Sequence, residues 1–276
     1  MTNNLTQRFK LSASLELIGA YLLAAFWIFP LIYAFWAAFH DTQYAIHFDL
    51  FAPLTLDNFR EVMSQAPFLR YGLNTFMLVG FILPLQLVVS TLAAYAFARY
   101  KFVGSNIAFV LVLVQLMITP EILIVQNYGT LAKLGLVDTI AGIGLPYVAS
   151  AFCIFLLRQT FKSIPKELED AAQLEGCGTL GLLWRVYVPL AMPTYLAFSL
   201  VSLSHHWNNF LWPLIITNSV ETRPLTVGLG IFSAPESGVD WSIVSAATLL
   251  SVAPLLIAFL LFQKQFVQSF MQAGIK

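Results

Sequence analysis

SIPKELEDAAQLEGCG, from Ser163 to Gly178, followed by Val186-Tyr187-Val188-Pro189, is a polar stretch set between long apolar runs. Ser163 can cap a helix start, Pro165 suits its first turn, and Glu167, Glu169 and Asp170 place negative charge near the positive end of the helix dipole. Gly176 and Gly178 supply the stop. Leu168, Ala171 and Ala172 fall at i, i+3 and i+4 and form a narrow apolar stripe, flanked by Lys166, Glu169 and Gln173. Small side chains on that stripe let another surface approach the backbone. The stretch reads as a short amphipathic helix on the water side of a membrane protein, a knob for a soluble partner. The competing reading is a helix lying on lipid headgroups. Its acidic character, and the lack of a large aromatic on the stripe, weigh against that beside an anionic leaflet.

Working outward, the composition is that of an integral membrane protein. Hydrophobic residues make up 59% of the 276 and charged residues 10%, with mean hydropathy +0.78, whereas soluble domains carry about a quarter charged residues. The net charge of zero gives no reason to expect nucleic acid as a partner. A spanning helix needs about 20 largely apolar residues. Six segments qualify: Leu15–Phe39, Phe68–Ala98, Ile107–Tyr128, Thr139–Leu157, Pro193–Ile216 and Ile243–Phe262. The expected fold is all-α, with six transmembrane helices in the lipid bilayer. Pro30, Pro84, Pro120, Pro146, Pro213 and Pro254 lie in or near them and are expected to kink the spans. The first run exceeds the roughly 7–15-residue core of a signal peptide and reads as an uncleaved helix.

Lys and Arg placement predicts orientation. With both termini cytoplasmic, Arg8, Lys10, Arg99, Lys101, Arg158, Lys162, Lys166, Arg185, Lys264 and Lys276 lie inside, and Arg60, Arg70, Lys133 and Arg223 outside. Ten against four favours this topology. The outer segments then hold Asp41, Asp49, Asp57, Glu61, Glu221, Glu236 and Asp240. Cys153 falls in the fourth span and Cys177 in a reducing compartment, so neither a disulfide nor a metal site is expected.

The pattern Pro165-x-Glu167-Leu168-x-Asp170-Ala171-Ala172-x-x-Glu175-Gly176, then nine residues, then Val186-x-Val188-Pro189, resembles the EAA signature of permease subunits of bacterial binding-protein-dependent ABC importers. Asp170 stands where Glu is usual, Glu175 where Asp is usual, and Val186 and Val188 replace Ile and Leu. Charge and shape survive these departures. Asn74-Thr75, the run from Ala93 to Phe102, the run from Lys133 to Thr139, Leu145-Pro146-Tyr147, Trp207-Asn208, Pro213-Leu214 and the run from Gln263 to Phe266 resemble the smaller of the two permeases in the carbohydrate branch. The run from Trp207 to Thr217, with Tyr128 and the Arg158-Gln159 region, is similar to glycerol-3-phosphate permeases. Val125-Gln126-Asn127 departs from a common Ile-Pro-Leu and leaves the solute open among sugar, polyol, glycerol phosphate and glycosyl-glycerol.

The resemblance implies the type I importer permease fold in the cytoplasmic (inner) membrane. Residues 1–67 would hold the cytoplasmic N-terminus, first helix and external loop. Residues 68–263 would form the permease core, with a coupling helix at about 163–177, and 264–276 a cytoplasmic tail. It further implies a second homologous permease, two ATPase subunits carrying MgATP, and an extracytoplasmic solute-binding protein. The ATPase-coupling residues would be Pro165, Glu167, Leu168, Asp170, Ala171, Ala172, Glu175 and Gly176. This chain would carry no cofactor and catalyse nothing. It has no G-x-x-x-x-G-K-S/T loop to cradle phosphates.

Polar residues inside spans are costly unless they face partners or water. Glu121, His206, Trp207, Asn208 and Asn209 are therefore the candidates for the solute path, since aromatic faces beside amides suit a polyol or sugar. Asn208 and Asn209 can equally be glue between helices, and that reading is favoured for Asn74 and Gln115. The His205-His206 pair lacks further ligands at metal spacing. The alternative class is an ion-coupled secondary transporter, with Glu121 as a proton-coupling acid, but the inverted repeats and broken helices usual there are not evident. An intramembrane enzyme would need clustered acids, bases or metal ligands, and only Glu121 and the His pair offer themselves.

Overall fold

The computed structural model of the chain describes residues 2–49, 51–233 and 238–274; Glu236 and Lys276, used above in the charge comparison, lie outside them. In chain order the α-helices are α1 (Thr2–Ala38), α2 (Thr42–His47), α3 (Asp57–Gln65), α4 (Phe68–Arg99), α5 (Ser105–Val114), α6 (Ile124–Lys133), α7 (Ile140–Gly144) and α8 (Ala151–Ser163). Then follow α9 (Lys166–Leu174), α10 (Thr179–Leu182), α11 (Val188–Leu190), α12 (Met192–Trp207), α13 (Leu211–Ile216), α14 (Leu225–Gly228) and α15 (Trp241–Gly274). A π-turn at Leu183–Tyr187 joins α10 to α11.

Three of these helices carry straight apolar stretches long enough to cross a membrane: Glu16–Ala38, Phe68–Arg99 and Trp241–Leu261. Three further pairs qualify only when taken together, each bent at a short break: Ser105–Met117 with Pro120–Lys133 by 93°, Ile140–Tyr147 with Ala151–Ser163 by 48°, and Thr179–Leu190 with Met192–Trp207 by 74°. The expected third, fourth and fifth spans are thus broken rather than straight. Pro120 restricts Thr119 to extended backbone (φ −71°, ψ 137°) and has no N–H to continue the ladder. Ser150 restarts the fourth span by accepting the Cys153 N–H (3.2 Å). The fifth does not reach Ile216 in one piece. Its helix ends at Trp207, where the Asn208 side chain donates to Ser204 O (2.8 Å). Pro30, Pro84 and Pro254, by contrast, stay inside continuous helices.

The chain divides into two compact units, one of residues up to Ala66 with Leu229–Val252, the other Pro67–Gly228 with the residues from Ala253 on. In the first, α1 is apolar all round and its membrane-length stretch has no buried residue; Phe26 and Trp27 are 74% and 71% exposed. A soluble protein would not leave such a surface bare, so its solvent is lipid or another apolar helix. Asn58, buried, donates to Ala38 O (3.0 Å) and His40 O (2.9 Å) and fixes α3 against the end of α1. Asp240 caps α15 by accepting from the Ser242 and Ile243 amides and also accepts the Thr42 hydroxyl.

The larger unit is built around α4, which packs on α7, α8, α12 and α14. One apolar cluster gathers Tyr95, Phe109, Leu157, Phe161, Leu183, Tyr187, Tyr195 and Phe198, and a second gathers Leu78, Ile82, Leu131, Ile143, Trp212 and Ile216. Gly228 is required by close approach, since a Cβ there would stand 2.2 Å from the Tyr71 ring. Asn74, fully buried, donates to Val220 O (3.1 Å) and Arg223 O (2.9 Å), so it is glue for the 217–224 loop. Asp138, at φ +60° between the spans, accepts the Asn218 and Ser219 amides (2.9 and 3.1 Å) and the Thr222 hydroxyl. Burial alone would raise its pKa; the hydrogen bonds from Thr222, Asn218 and Ser219 outweigh that and hold it at about 2.

A carboxyl group whose pKa falls on folding stabilises the folded state above its ordinary value, here 3.8, and loses that contribution as pH falls through about 2. Asp138→Asn should loosen the 217–224 loop by about 1–3 kcal/mol and remove this acid dependence. Limited proteolysis of that loop across pH, compared with wild type, measures both.

Candidate functional site

Two regions bear on function: α9 and a cavity in the larger unit. α9 projects with none of its residues buried; Leu168 is 45% and Leu174 91% exposed. Pro165, Glu167, Asp170, Ala171, Glu175 and Gly176 are exposed as well, while Glu169 and Ala172 are half-buried and form its inner side. Ser163 does not cap this helix. Its hydroxyl donates to Thr160 O (2.8 Å) and closes α8, and Pro165 precedes Lys166 without a side-chain cap. At the other end Gly176 adopts φ +85°, with Gly176 N–H donating to Gln173 O (2.9 Å) and Cys177 N–H to Ala172 O (3.0 Å). These are the paired bonds of a Schellman stop.

The inner side of α9 is fastened by Glu169. Its carboxylate accepts the Tyr187 hydroxyl (2.6 Å), lies 3.6 Å from Arg99 Nε and accepts from Gln173 (3.4 Å). Arg99 also donates to Ile164 O (2.7 Å), and its guanidinium sits over the Tyr187 ring, 4.8 Å from the centroid. The end of α4, the π-turn and α9 therefore meet at one charged, largely enclosed contact. Charge-assisted hydrogen bonds of this kind are roughly twice as strong as neutral ones.

The cavity has a volume of about 400 Å³ and is lined by residues including Gln86, Gln115, Glu121, Asn127, Tyr147, Ser202, His205, His206, Asn209 and Trp212. Gln86 organises it. Its amide donates to Tyr147 O (2.7 Å) and faces His206 Nε2 (3.2 Å), while its carbonyl oxygen accepts the Ser202 hydroxyl (2.6 Å). Since the Tyr147 carbonyl fixes which end of the amide is the donor, His206 Nε2 is the acceptor and its proton sits on Nδ1. Nδ1 is buried and has no hydrogen-bond partner among the described residues. Asn209 donates to the Tyr147 hydroxyl (3.0 Å). Of the solute-path candidates, Glu121, His206 and Asn209 line this cavity. Trp207 and Asn208 do not: Trp207 is buried edge-on against Phe76 (5.0 Å), and Asn208 caps its own helix.

Compared with known proteins, residues 59–272 match the family described as binding-protein-dependent transport system inner membrane component, a range that holds α9 and the cavity. The chain belongs to that family. It is a non-catalytic permease subunit of a bacterial ABC importer in the inner membrane. The arabinooligosaccharides transport system permease protein AraQ of Halalkalibacterium halodurans is 33% identical over 265 residues, 94% of this chain and 95% of that protein. The sn-glycerol-3-phosphate transport system permease protein UgpE of Escherichia coli O1:K1 is 32% identical over 257 residues, 87% and 89% of the two chains. In fold, the permease resembles a chain of a bacterial ABC transporter involved in the import of the acidic polysaccharide alginate. The TM-score is 0.84 at 22% identity, over 93% of this chain and 97% of that one. A chain of the alginate transporter in complex with its alginate pentasaccharide-bound periplasmic protein gives TM-score 0.63 at 17% identity, over 91% and 94%.

Two residues of the permease escaped the sequence reading. Glu169 was grouped with the flank of the stripe, yet its position one turn after Pro165 and beside half-buried Ala172 puts it inward. Gln86 is a lone amide in the apolar run of α4, and the cost of a polar group in lipid was signal enough to single it out. Glu169→Ala should leave Arg99 and the Tyr187 hydroxyl without their partner and loosen α9 by about 1–3 kcal/mol. Hydrogen exchange at residues 164–177 should quicken by roughly tenfold or more, with α4 unaffected.

Proposed function

We propose that this permease forms half of the translocation pathway for a neutral sugar or polyol, paired with a second homologous permease. In this reading both termini are cytoplasmic, two ATPase subunits dock on the α9 side, and an extracytoplasmic binding protein delivers the solute. The observation that carries it is α9 itself: a fully exposed helix fastened to the end of a membrane-length helix through Glu169 and Arg99. Closure of an ATPase dimer on MgATP would move α9, and the rigid link through Arg99 and Tyr187 would pass that motion to α4 and α12, opening the pathway on alternate sides. Nucleotide state biases the equilibrium only because the α9 contact differs in energy between the two states.

The solute class follows from the cavity. The lining offers amides, a tyrosine, a tryptophan and the His206 Nδ1–H, which suit hydroxyls and ring faces. Its only full charge among the described lining residues is Glu121, and it includes neither Lys nor Arg. A phosphate or uronate would meet no counter-charge here, which favours the neutral solute suggested by the arabinooligosaccharide relative over the glycerol phosphate suggested by the other.

Ala171→Trp places bulk on the exposed stripe and should cut recovery of the ATPase subunits with the purified permease at least tenfold, while membrane insertion is unchanged; full recovery would return α9 to the lipid-surface reading. At Gly176 an added Cβ meets nothing within 4 Å, so the constraint is the positive φ alone. Gly176→Leu should uncouple ATP hydrolysis from uptake, and Gly176→Asn should retain most of it, because Asn tolerates the left-handed region. In reconstituted vesicles with the cognate binding protein, neutral oligosaccharides should stimulate ATP hydrolysis and sn-glycerol 3-phosphate should not.

A further inference from the structure

At the same end of the larger unit as α9, residues Tyr100–Gly104 carry the chain from α4 to α5 along the edge of a groove of about 860 Å³. Five cations line it, Arg99, Lys101, Arg158, Lys162 and Lys166, against two carboxylates, Glu169 and Asp170. Arg99 is committed to Glu169 and Ile164 O, and Arg158 donates to Phe97 O (3.2 Å) with its guanidinium 3.8 Å from the Phe109 ring centroid. Lys101, Lys162 and Lys166 are exposed and have no hydrogen-bond or ion-pair partner among the described residues. The groove therefore keeps an excess of unpaired positive charge.

Its other wall is apolar. Phe97, Phe102 and Ile107 line it, and Val103 at the loop tip is fully exposed, with Ile107 at 70%. Gly104, at φ +82°, precedes α5 and offers no side chain to cap its first amides, so the positive end of that helix also faces this region. The groove is framed by the ends of helices that belong to candidate spans, α4, α5 and α8, which places it at headgroup depth. Unpaired lysines beside exposed apolar groups at that depth match an anionic headgroup whose acyl chains continue along the helices. A free inorganic anion would make no use of the apolar wall, and an acidic protein surface would have no reason to meet an exposed valine and isoleucine there.

We propose that this groove holds the headgroup of an anionic phospholipid from the leaflet on the α9 side. The site stands apart from whatever α9 docks onto, since neither Lys101 nor Lys162 lies on that helix. The test uses the complete importer reconstituted in bilayers of equal phosphatidylglycerol and phosphatidylcholine, with co-purifying lipid measured by native mass spectrometry. Wild type should retain phosphatidylglycerol over phosphatidylcholine. Lys101→Gln with Lys162→Gln should lower that preference roughly tenfold, and Lys101→Arg with Lys162→Arg should keep it. Equal retention of the two lipids by wild type, or an unchanged preference in the glutamine variant, would overturn the proposal. Displacement of the lipid by inorganic phosphate would indicate a small-anion site and overturn it too. Loss of ATPase subunits from the glutamine variant with lipid preference intact would make the groove a protein contact and end the lipid reading.

Discussion

A polar helix can project from an apolar bundle and still act mechanically only if it is joined to that bundle by something stiffer than a loop. In this permease the join is the Glu169 carboxylate, held between the Tyr187 hydroxyl and the Arg99 guanidinium. Arg99 is the last residue of α4, so the contact reaches directly into the helix around which the larger unit is packed. Tyr187 is fully buried among Tyr95, Phe161 and Leu183, which keeps its hydroxyl from finding another partner. Remove the carboxylate and α9 becomes a tethered peptide, because no residue of α9 is buried against anything else.

The same economy governs polar groups within the spans. Gln86 meets Tyr147, His206 and Ser202 at once and so binds three stretches of chain around one amide. Breaks in the third, fourth and fifth spans would expose backbone groups to hydrocarbon unless they faced protein or a cavity. Two of these breaks border the cavity: Ile118 and Pro120 in one, Ala149 and Ser150 in the other. Irregular backbone, side-chain amides and the candidate solute path thus occupy one place for one reason.

How much of this was legible in the sequence differs by feature. Membrane class and helical content follow from apolar runs of sufficient length, and the family from the spacing between Pro165 and Pro189. The bends at Thr119 and Ala191 were harder to place, since prolines mark where a kink is allowed and packing decides where it occurs; Pro84 and Pro254 sit in unbroken helices all the same. Trp207 and Asn208 looked alike with Asn209 on a one-dimensional string, yet successive helical positions diverge by about 100°, and only Asn209 reaches the cavity. Glu169 was hidden by its neighbours, being one acid among several whose inward direction depends on the angle at which α9 leaves Ile164.

The π-turn at Leu183–Tyr187 has a consequence for which changes of chain length this region can accept. Leu183, Tyr187 and Ala191 are all buried at intervals of four, a wider pitch than the 3.6 residues of a regular helix. One residue fewer in this segment would tighten the coil to ordinary pitch and swing everything downstream by about 100°, taking Tyr187 off the carboxylate. Substitutions that preserve volume can pass here, but a single-codon insertion or deletion between Gly176 and Pro189 cannot, so in this segment the count of residues is a structural quantity in its own right.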